Sequence, residues 1–201
     1  MDGTLYPETD EIKEFKKDLL CKYISRKKKI PLEKVREICE RDYEKTDSFT
    51  FVLEDCEIKD PKAVLENLII KDLIIPLIKF DSRINVFLNQ IKNKYKIFLI
   101  THTYKKHAVP RLEKAGVDYK VFDTCIFGDQ GLFKTNRKVF DKVLGELDLK
   151  PSEVLYVGDR EKVDIIVPKQ MGMLTAIVNS RSRLADYHLK SVYDLGKLLT
   201  L

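Results

Sequence analysis

Residues 154–164 read VLYVGDREKVD, and this stretch decides the fold class. Residues 154–157 form a short apolar run of the kind found in fully buried strands, and Gly158 and Asp159 follow it directly. Asp164 comes five residues after Asp159, where the pattern of the next helix begins. The spacing therefore predicts one carboxylate at the tip of a strand and a second on the opening turn of the helix after it.

Similar apolar runs alternate with amphipathic helical patterns on both sides of this stretch. Further strands are predicted at residues 97–100, 121–127 and 174–178. Helices are predicted around residues 84–91, from 104 to Gly116, and at residues 137–147 and 162–171. Short, continuously apolar strands separated by amphipathic helices are typical of a parallel sheet with helices on both faces. We therefore predict a three-layer α/β core over residues 80–201.

The residues before this core read differently. Apolar residues recur at helical spacing from about Asp10 to Ile24, Pro31 opens a second amphipathic helix, and Pro61 opens a third that continues through Leu68. Only residues 49–53 resemble a strand, and weakly. We predict a small all-helical module at residues 9–79, with residues 1–8 belonging to the core.

Composition and charge exclude several classes of protein. Hydrophobic residues make up 44% of the 201 and charged residues 34%, a balance typical of soluble domains. Four dispersed cysteines without a CxxC pair argue against structural zinc and a disulfide framework, and with no signal peptide visible we expect a cytoplasmic protein. The net charge is +5, and the one basic run, residues 26–29, reads as the solvated end of a helix. We expect neither a nucleic-acid nor a membrane partner.

Polar residues follow the predicted strands where ligands bind in such sheets, outside the carboxyl ends. Thr101 and His102 follow residues 97–100, and Lys134 precedes the helix that begins at residue 137. Asp159 and Asp164 are two hard oxygen ligands that suit Mg²⁺, which prefers carboxylates, water and substrate phosphate. Each residue alone also has an interpretation that involves no ligand, since a threonine after a strand is more often a helix cap and a lone lysine is usually solvated.

The order and spacing of these residues resemble the haloacid dehalogenase-like (HAD) hydrolases, specifically phosphatases with a helical cap inserted after the first motif. The opening MDGTLYP matches the end of the family's DxDGT motif, with Asp2 as its second aspartate. Thr101 in FLITHT matches the second motif, and Lys134 in GLFKTNRKVF the third, although Thr135 replaces the usual proline. The GDxxxxD motif is matched through Asp159 and Asp164. The resemblance covers the whole chain and implies a Rossmann-like core.

The resemblance also implies roles for these residues. Asp2 is expected to be the general acid and base, and Thr101, His102 and Lys134 to bind phosphate, although His102 could equally cap a helix. Asp159 and Asp164 are expected to bind Mg²⁺. The implied activity is hydrolysis of a small phosphomonoester through an aspartyl-phosphate, with a cap that sets specificity. The carboxylate pair argues against a metal-independent dehalogenase, and neither the substrate nor the oligomeric state is predicted.

The family's nucleophile and the strand that delivers it have no counterpart in the sequence. The first aspartate of the motif falls immediately before Met1. Since the family places that strand in the middle of the sheet, we expect unpaired backbone groups and an opened core. Our leading hypothesis is that Met1 is an internal residue of a truncated reading frame. A less favoured alternative makes Asp2 the nucleophile, and another makes the chain an inactive phosphate-binding or interaction protein.

Overall fold

The computed structural model describes residues 1–46, 49–61, 63–65 and 73–200. The chain divides into two compact units, one formed by Glu8–Leu77 and the other by Met1–Pro7 together with Ile78–Leu201. The first is helical and the second contains the strands, so the chain enters the α/β unit, leaves it after Pro7 and returns at Ile78.

The helical unit contains α1 (Asp10–Lys28), α2 (Leu32–Thr46) and α3 (Phe49–Asp55). Thr9 caps α1 by accepting a hydrogen bond from the backbone N–H of Ile12. The residues with weak strand character lie in α3, because Val52 and Leu53 pack into a core shared with α1 and α2. Of the helix predicted from Pro61 through Leu68, residues 61 and 63–65 are helical, and the other residues lie outside the described part of the chain.

The α/β unit contains strands β1 (Phe98–Ile100), β2 (Thr124–Ile126), β3 (Leu155–Gly158), β4 (Leu174–Val178) and β5 (Tyr187–Leu189). Its helices are α4 (Ser82–Lys92), α5 (Lys105–Ala115), α6 (Arg137–Leu147), α7 (Ile166–Gln170) and α8 (Leu195–Leu198). All strand pairs are parallel. The predicted α/β fold class is confirmed.

Helix α6 shows how the local sequence produces these elements. The side chain of Asn136 accepts a hydrogen bond from the backbone N–H of Lys138 and so caps the first turn. Val139, Phe140, Val143, Leu144 and Leu147 recur on one face and are buried against β1, β2 and β3. The helix ends at Leu147 and is followed by Asp148 in a left-handed conformation. These bounds are those that the sequence predicts.

The strands form two separate sheets, which agrees with the opened core expected above because the family's central strand has no counterpart. One has the order β1-β2 and the other β3-β4-β5. A cavity of about 390 Å³ is lined by the edge strand of each sheet, β1 on one side and β3 on the other. The sheet is therefore interrupted between the two strands whose carboxyl ends carry Thr101 and Asp159.

In the described parts of the chain, no helix combines the length and apolar character needed to cross a bilayer.

Candidate active site

The end of β3 places two carboxylates beside each other. Asp159 follows Gly158 directly, and Asp164 lies on a π-helical turn, Glu161–Ile165, that leads into α7. The Oδ2 atom of Asp164 accepts hydrogen bonds from the backbone N–H groups of Asp159 (3.2 Å) and Arg160 (3.1 Å). The turn therefore folds back onto the strand end and fixes the carboxylate there.

Gly158 makes this approach sterically feasible. A Cβ atom at this position would lie 2.2 Å from the Cβ of Asp164 and 2.4 Å from its Cγ. Such contacts are far inside the van der Waals limit, so only glycine lets the turn pack this closely. The glycine of the GD pair is thus required by the position of the second carboxylate.

Lys134 neutralises one of these two carboxylates. Its Nζ lies 2.5 Å from Oδ1 of Asp164, and both side chains are almost completely buried. Burial alone would raise the pKa of Asp164, but the positive charges of Lys134 and Arg160 overcome that effect and bring the pKa down to about 2. Asp164 is therefore an anion held in place by a buried ion pair.

Asp159 has the opposite electrostatic environment. Burial and the negative charge of Asp164 raise its pKa above the usual value. Its Oδ1 atom accepts a hydrogen bond of 2.9 Å from the hydroxyl of Thr4. A second negative charge beside Asp164 is thus costly in the protein alone, and a cation bound between the two would relieve the repulsion.

The first residues of the chain are built into the same cluster. The backbone N–H groups of Thr4 and Leu5 donate to the carbonyl of Met1, which forms a tight turn. Gly3 sits in this turn at φ 73°, and a Cβ there would lie 2.3 Å from Oδ2 of Asp159. The amine of Met1 is buried; this burial and the charge of Lys134 lower its pKa.

Asp2 faces a different set of partners. Its carboxylate accepts a hydrogen bond from the hydroxyl of Tyr6 and lies 3.6 Å from a guanidinium nitrogen of Arg111. Arg111 belongs to α5 and is only 1% exposed, so an arginine side chain lies in the core of this unit. Neither Tyr6 nor Arg111 was predicted from the sequence as a site residue. The available signal was a charged residue on the otherwise apolar stripe of Ala108, Leu112 and Ala115.

His102 and Thr101 lie at the end of β1. The Nε2 atom of His102 accepts a hydrogen bond of 2.8 Å from the backbone N–H of Lys134, so His102 holds the segment that carries the lysine. The hydroxyl of Thr101 accepts from the backbone N–H of Thr103 at 3.1 Å. Among the described residues, Thr101 makes no hydrogen bond to Lys134 or to either aspartate of the pair. The neighbouring residue His102 is the one that contacts Lys134.

Lys134 thus contacts both Asp164 and His102, and the backbone of Asp159 donates to Asp164. Asp2 lies beside this group, in the turn formed by Met1 and Thr4. Within the described residues, no three His, Cys, Asp or Glu side chains gather as a metal-binding group. Two carboxylates nevertheless fit Mg²⁺, which keeps several waters and takes only one or two protein carboxylates beside a substrate phosphate. The pKa of Asp159 is raised because burial and the charge of Asp164 outweigh the positive charges of the Met1 amine, Arg160 and Lys134, so a cation bound at the pair would stabilise the charged form.

Comparison with known proteins finds a family match over most of the chain. The sequence model of the haloacid dehalogenase-like hydrolases matches residues 1–178. Over 121 residues the chain is 31% identical to pyrimidine 5'-nucleotidase YjjG of Escherichia coli strain K12, a match that covers 56% of this chain and 53% of that protein. Over 81 residues it is 30% identical to glyceraldehyde 3-phosphate phosphatase of Methanopyrus kandleri, covering 40% and 35%.

The chain therefore spans about half the length of the first of these relatives and about a third of the second. The crystal structure of a HAD phosphatase from Thermococcus onnurineus superposes with a TM-score of 0.70 at 24% identity, over 99% of this chain and 94% of that chain. That similarity concerns the fold.

Proposed function

The chain belongs to the haloacid dehalogenase-like hydrolase family, and we propose that it is a Mg²⁺-dependent phosphatase that hydrolyses a small phosphomonoester through an aspartyl-phosphate. Two of its relatives are a nucleotidase and a phosphatase, which supports a phosphate ester as the substrate.

One observation carries the proposal. A buried lysine, a carboxylate paired with it and a second carboxylate whose pKa is raised by burial and by the first carboxylate meet at the carboxyl end of β3. In parallel sheets of this kind, ligands bind at the carboxyl ends of the strands. An anionic group and a divalent cation are the two ligands that such a set of charges would stabilise together.

Lys134 and Thr101 are proposed to bind the phosphoryl oxygens. Asp164 and His102 hold Lys134 by its Nζ and its backbone N–H, respectively, so the ammonium is positioned before a substrate arrives. Because the lysine is buried, its attraction for a phosphate oxygen is stronger than it would be in water.

Asp2 is proposed to donate a proton to the leaving oxygen and later to take one from the attacking water. Tyr6 and Arg111 hold its carboxylate. Asp159 and Asp164 would hold Mg²⁺, which when bound supplies neutralisation of the negative charge on the phosphoryl group.

The nucleophile is proposed to be an aspartate joined to the amine of Met1. Its carboxylate oxygen forms a bond to phosphorus as the bond from phosphorus to the leaving oxygen breaks. Water then attacks the phosphorus of the aspartyl-phosphate, and the carboxylate is released.

A second candidate function is an inactive phosphate-binding or interaction protein of the same fold. One observation favours it: Lys134 is buried in the site and could hold an anionic phosphate group without any chemical step.

The two candidates differ in turnover of p-nitrophenyl phosphate. We would compare the 201-residue chain with a chain extended before Met1 by an apolar strand ending in Asp, and with a matched extension ending in Asn. The proposal expects Mg²⁺-dependent turnover only with the Asp extension. Lack of turnover in all three chains contradicts the phosphatase and supports the inactive protein.

Lys134 and Lys138 form a matched pair for testing the phosphate site in the Asp-extended chain. Lys134 is buried beside Asp164, whereas Lys138 is exposed at the start of α6. We expect Lys134→Ala to lower kcat about a hundredfold or more, as for other lost transition-state charges, and Lys138→Ala to leave it unchanged. The reverse result would assign the role to Lys138.

A further inference from the structure

His102 lies in a turn after β1 whose backbone is fixed from two sides. The backbone N–H of Thr103 donates to the hydroxyl of Thr101 at 3.1 Å, which closes the turn around His102. The backbone N–H of Gly128 donates to the carbonyl of Thr103, and a Cβ at Gly128 would clash with the carbonyl oxygen of His102. The loop at Gly128 therefore packs directly against the turn and holds the backbone of His102 in place.

The imidazole ring of His102 has two neighbours in the segment that precedes α6. Its Nε2 atom accepts the hydrogen bond of 2.8 Å from the backbone N–H of Lys134. The ring of Phe133 meets the imidazole edge-on, with the two centroids 5.4 Å apart and the planes at 75°. The aromatic contact thus helps to hold the imidazole in the orientation that the hydrogen bond requires.

Lys134 itself lies in a turn and not in a helix or a strand. The backbone N–H of Asn136 donates to the carbonyl of Phe133 at 2.9 Å, and Lys134 is the second residue of this turn. The ammonium of Lys134 is bonded to Asp164, and its backbone N–H is bonded to His102. The lysine is therefore held at both ends, and loss of the backbone contact would leave a loop segment that moves more freely.

The hydrogen bond from Lys134 requires one protonation state of His102. A ring nitrogen that accepts a hydrogen bond carries a lone pair, so the proton of the neutral imidazole must be on Nδ1. Protonation of the ring would place an N–H group on Nε2 as well, facing the N–H of Lys134. Because two donors cannot bond to each other, the protonated ring must release Lys134. Histidine side chains change charge between about pH 5 and pH 8.

We propose that His102 is a positioning residue that holds Lys134 only as a neutral, Nδ1-protonated imidazole, so that proton uptake by His102 loosens the lysine segment and weakens the binding of a tetrahedral dianion at Lys134. In this role His102 acts through Lys134 instead of contacting the phosphoryl group. The effect on the anion rests on the proposed phosphate site, whereas the contact between the imidazole and the backbone N–H does not.

Other titratable groups lie near His102 and could contribute to a pH effect. Those on its own turn and on the elements packed against it include Tyr104, Lys105, Asp129, Lys134 and Asp164. His102→Gln keeps all of them and changes the imidazole alone. The glutamine amide oxygen can accept the hydrogen bond in place of Nε2 and does not titrate. A pH effect that arises from the other groups would therefore also be seen in this variant.

The test compares the 201-residue chain with His102→Gln and with His102→Leu, which has no acceptor, at about pH 7.5 and about pH 5.5. Nitrogen NMR of the imidazole identifies the protonated ring nitrogen. Because the chain has three histidines, the signals that disappear in His102→Gln are those of His102. We expect the proton on Nδ1 at the higher pH, and a proton on Nε2 there overturns the proposal.

Hydrogen exchange at the backbone N–H of Lys134, taken relative to its rate in an unfolded chain, measures whether the segment is held. On acidification we expect protection to fall by at least about tenfold in the wild type and to persist in His102→Gln. His102→Leu should lack protection at both pH values. The backbone N–H of Thr101, which donates to Ile126, is the internal control. Equal pH responses in the wild type and His102→Gln overturn the proposal, and these two chains decide it if His102→Leu does not fold.

Sulfate is the probe for the anion, because it remains a dianion at both pH values. Titration calorimetry should show sulfate affinity falling about three- to tenfold on acidification in the wild type, as for a lost hydrogen bond, and changing less in His102→Gln. The same loss of affinity in both chains overturns the link between His102 and the anion. Absence of sulfate binding in every chain contradicts the proposed phosphate site, and the exchange of the Lys134 N–H then decides the role of His102 by itself.

Discussion

At the residue scale, the candidate site contains two neighbouring carboxyl groups whose pKa values are shifted in opposite directions. Asp164 forms an ion pair with Lys134, and its contribution to the free energy of unfolding depends on that pair. Burial and the negative charge of Asp164 disfavour the charged form of Asp159 more than the Met1 amine, Arg160 and Lys134 favour it. The same chemical group therefore stabilises the protein at one position and opposes folding at the other.

Replacing each aspartate with asparagine should separate these effects. Asp164→Asn leaves Lys134 buried without a countercharge and is expected to lower the free energy of unfolding by about 3–5 kcal/mol. Asp159→Asn removes the repulsion, and its amide oxygen can still accept from Thr4, so the free energy of unfolding should rise. Urea unfolding without metal measures both, with exposed Asp141→Asn as a control that should change little. A loss of stability in Asp159→Asn would contradict this account of the pair.

The pH dependence of stability follows from the lowered pKa of Asp164. The pKa is about 2 in the folded protein and near 3.8 in the unfolded chain. The folded state thus binds this proton less readily, so the contribution is complete above about pH 4 and is lost as the pH falls toward 2. The difference in unfolding free energy between wild type and Asp164→Asn should be constant near neutral pH and shrink below pH 4. A difference that grows on acidification would show that the sign is wrong.

At the element scale, the bounds of β3 and the turn after it depend on one glycine. Gly158→Ala would force a Cβ into the side chain of Asp164, so the π-helical turn must shift. We expect a loss of about 1–3 kcal/mol in unfolding free energy, as in other overpacked positions, together with loss of turnover in the Asp-extended chain. Gly145→Ala is the matched control, because nothing lies near its added Cβ in helix α6. That change should stabilise the protein by about 0.5–1 kcal/mol, and a harmless Gly158→Ala would contradict the packing argument.

Elements with a strong period could be predicted from the sequence, and short ones could not. Helix α6 and strand β4 have the predicted bounds because their apolar residues follow one period throughout. Strand β5 was not predicted, since two of its three residues, Tyr187 and His188, are exposed. The helix predicted at residues 162–171 is split into a π-helical turn and α7, because the approach of Asp164 to Gly158 requires the wider turn.

The site could be predicted as a set of residues but not as a network. Asp159 and Asp164 could be recognised by their spacing, because one directly follows a predicted strand and the other comes five residues later at the start of the next helix. Tyr6 and Arg111 were not identified, because their link to Asp2 depends on how α5 packs, which no local pattern records. The use of His102 as an acceptor for Lys134 likewise arises from two loops that meet only in the folded chain.

At the scale of the whole molecule, the interruption between β1 and β3 and the charged cluster lie next to each other. The cavity between β1 and β3 is lined in part by Met1, Lys134 and Asp164, so the gap between the two sheets opens onto the site. The apolar core of the α/β unit and its charged cluster therefore meet at this cavity.

Asp159 and Asp164 are proposed to form a divalent cation site beside Lys134. Titration calorimetry of Mg²⁺ into the Asp-extended chain with inorganic phosphate present tests it most directly, with Asp159→Asn in the same chain as the comparison. We predict one Mg²⁺ bound per chain and at least about tenfold weaker binding in the variant. Equal affinity in the two proteins, or no heat of binding in either, would contradict the claim.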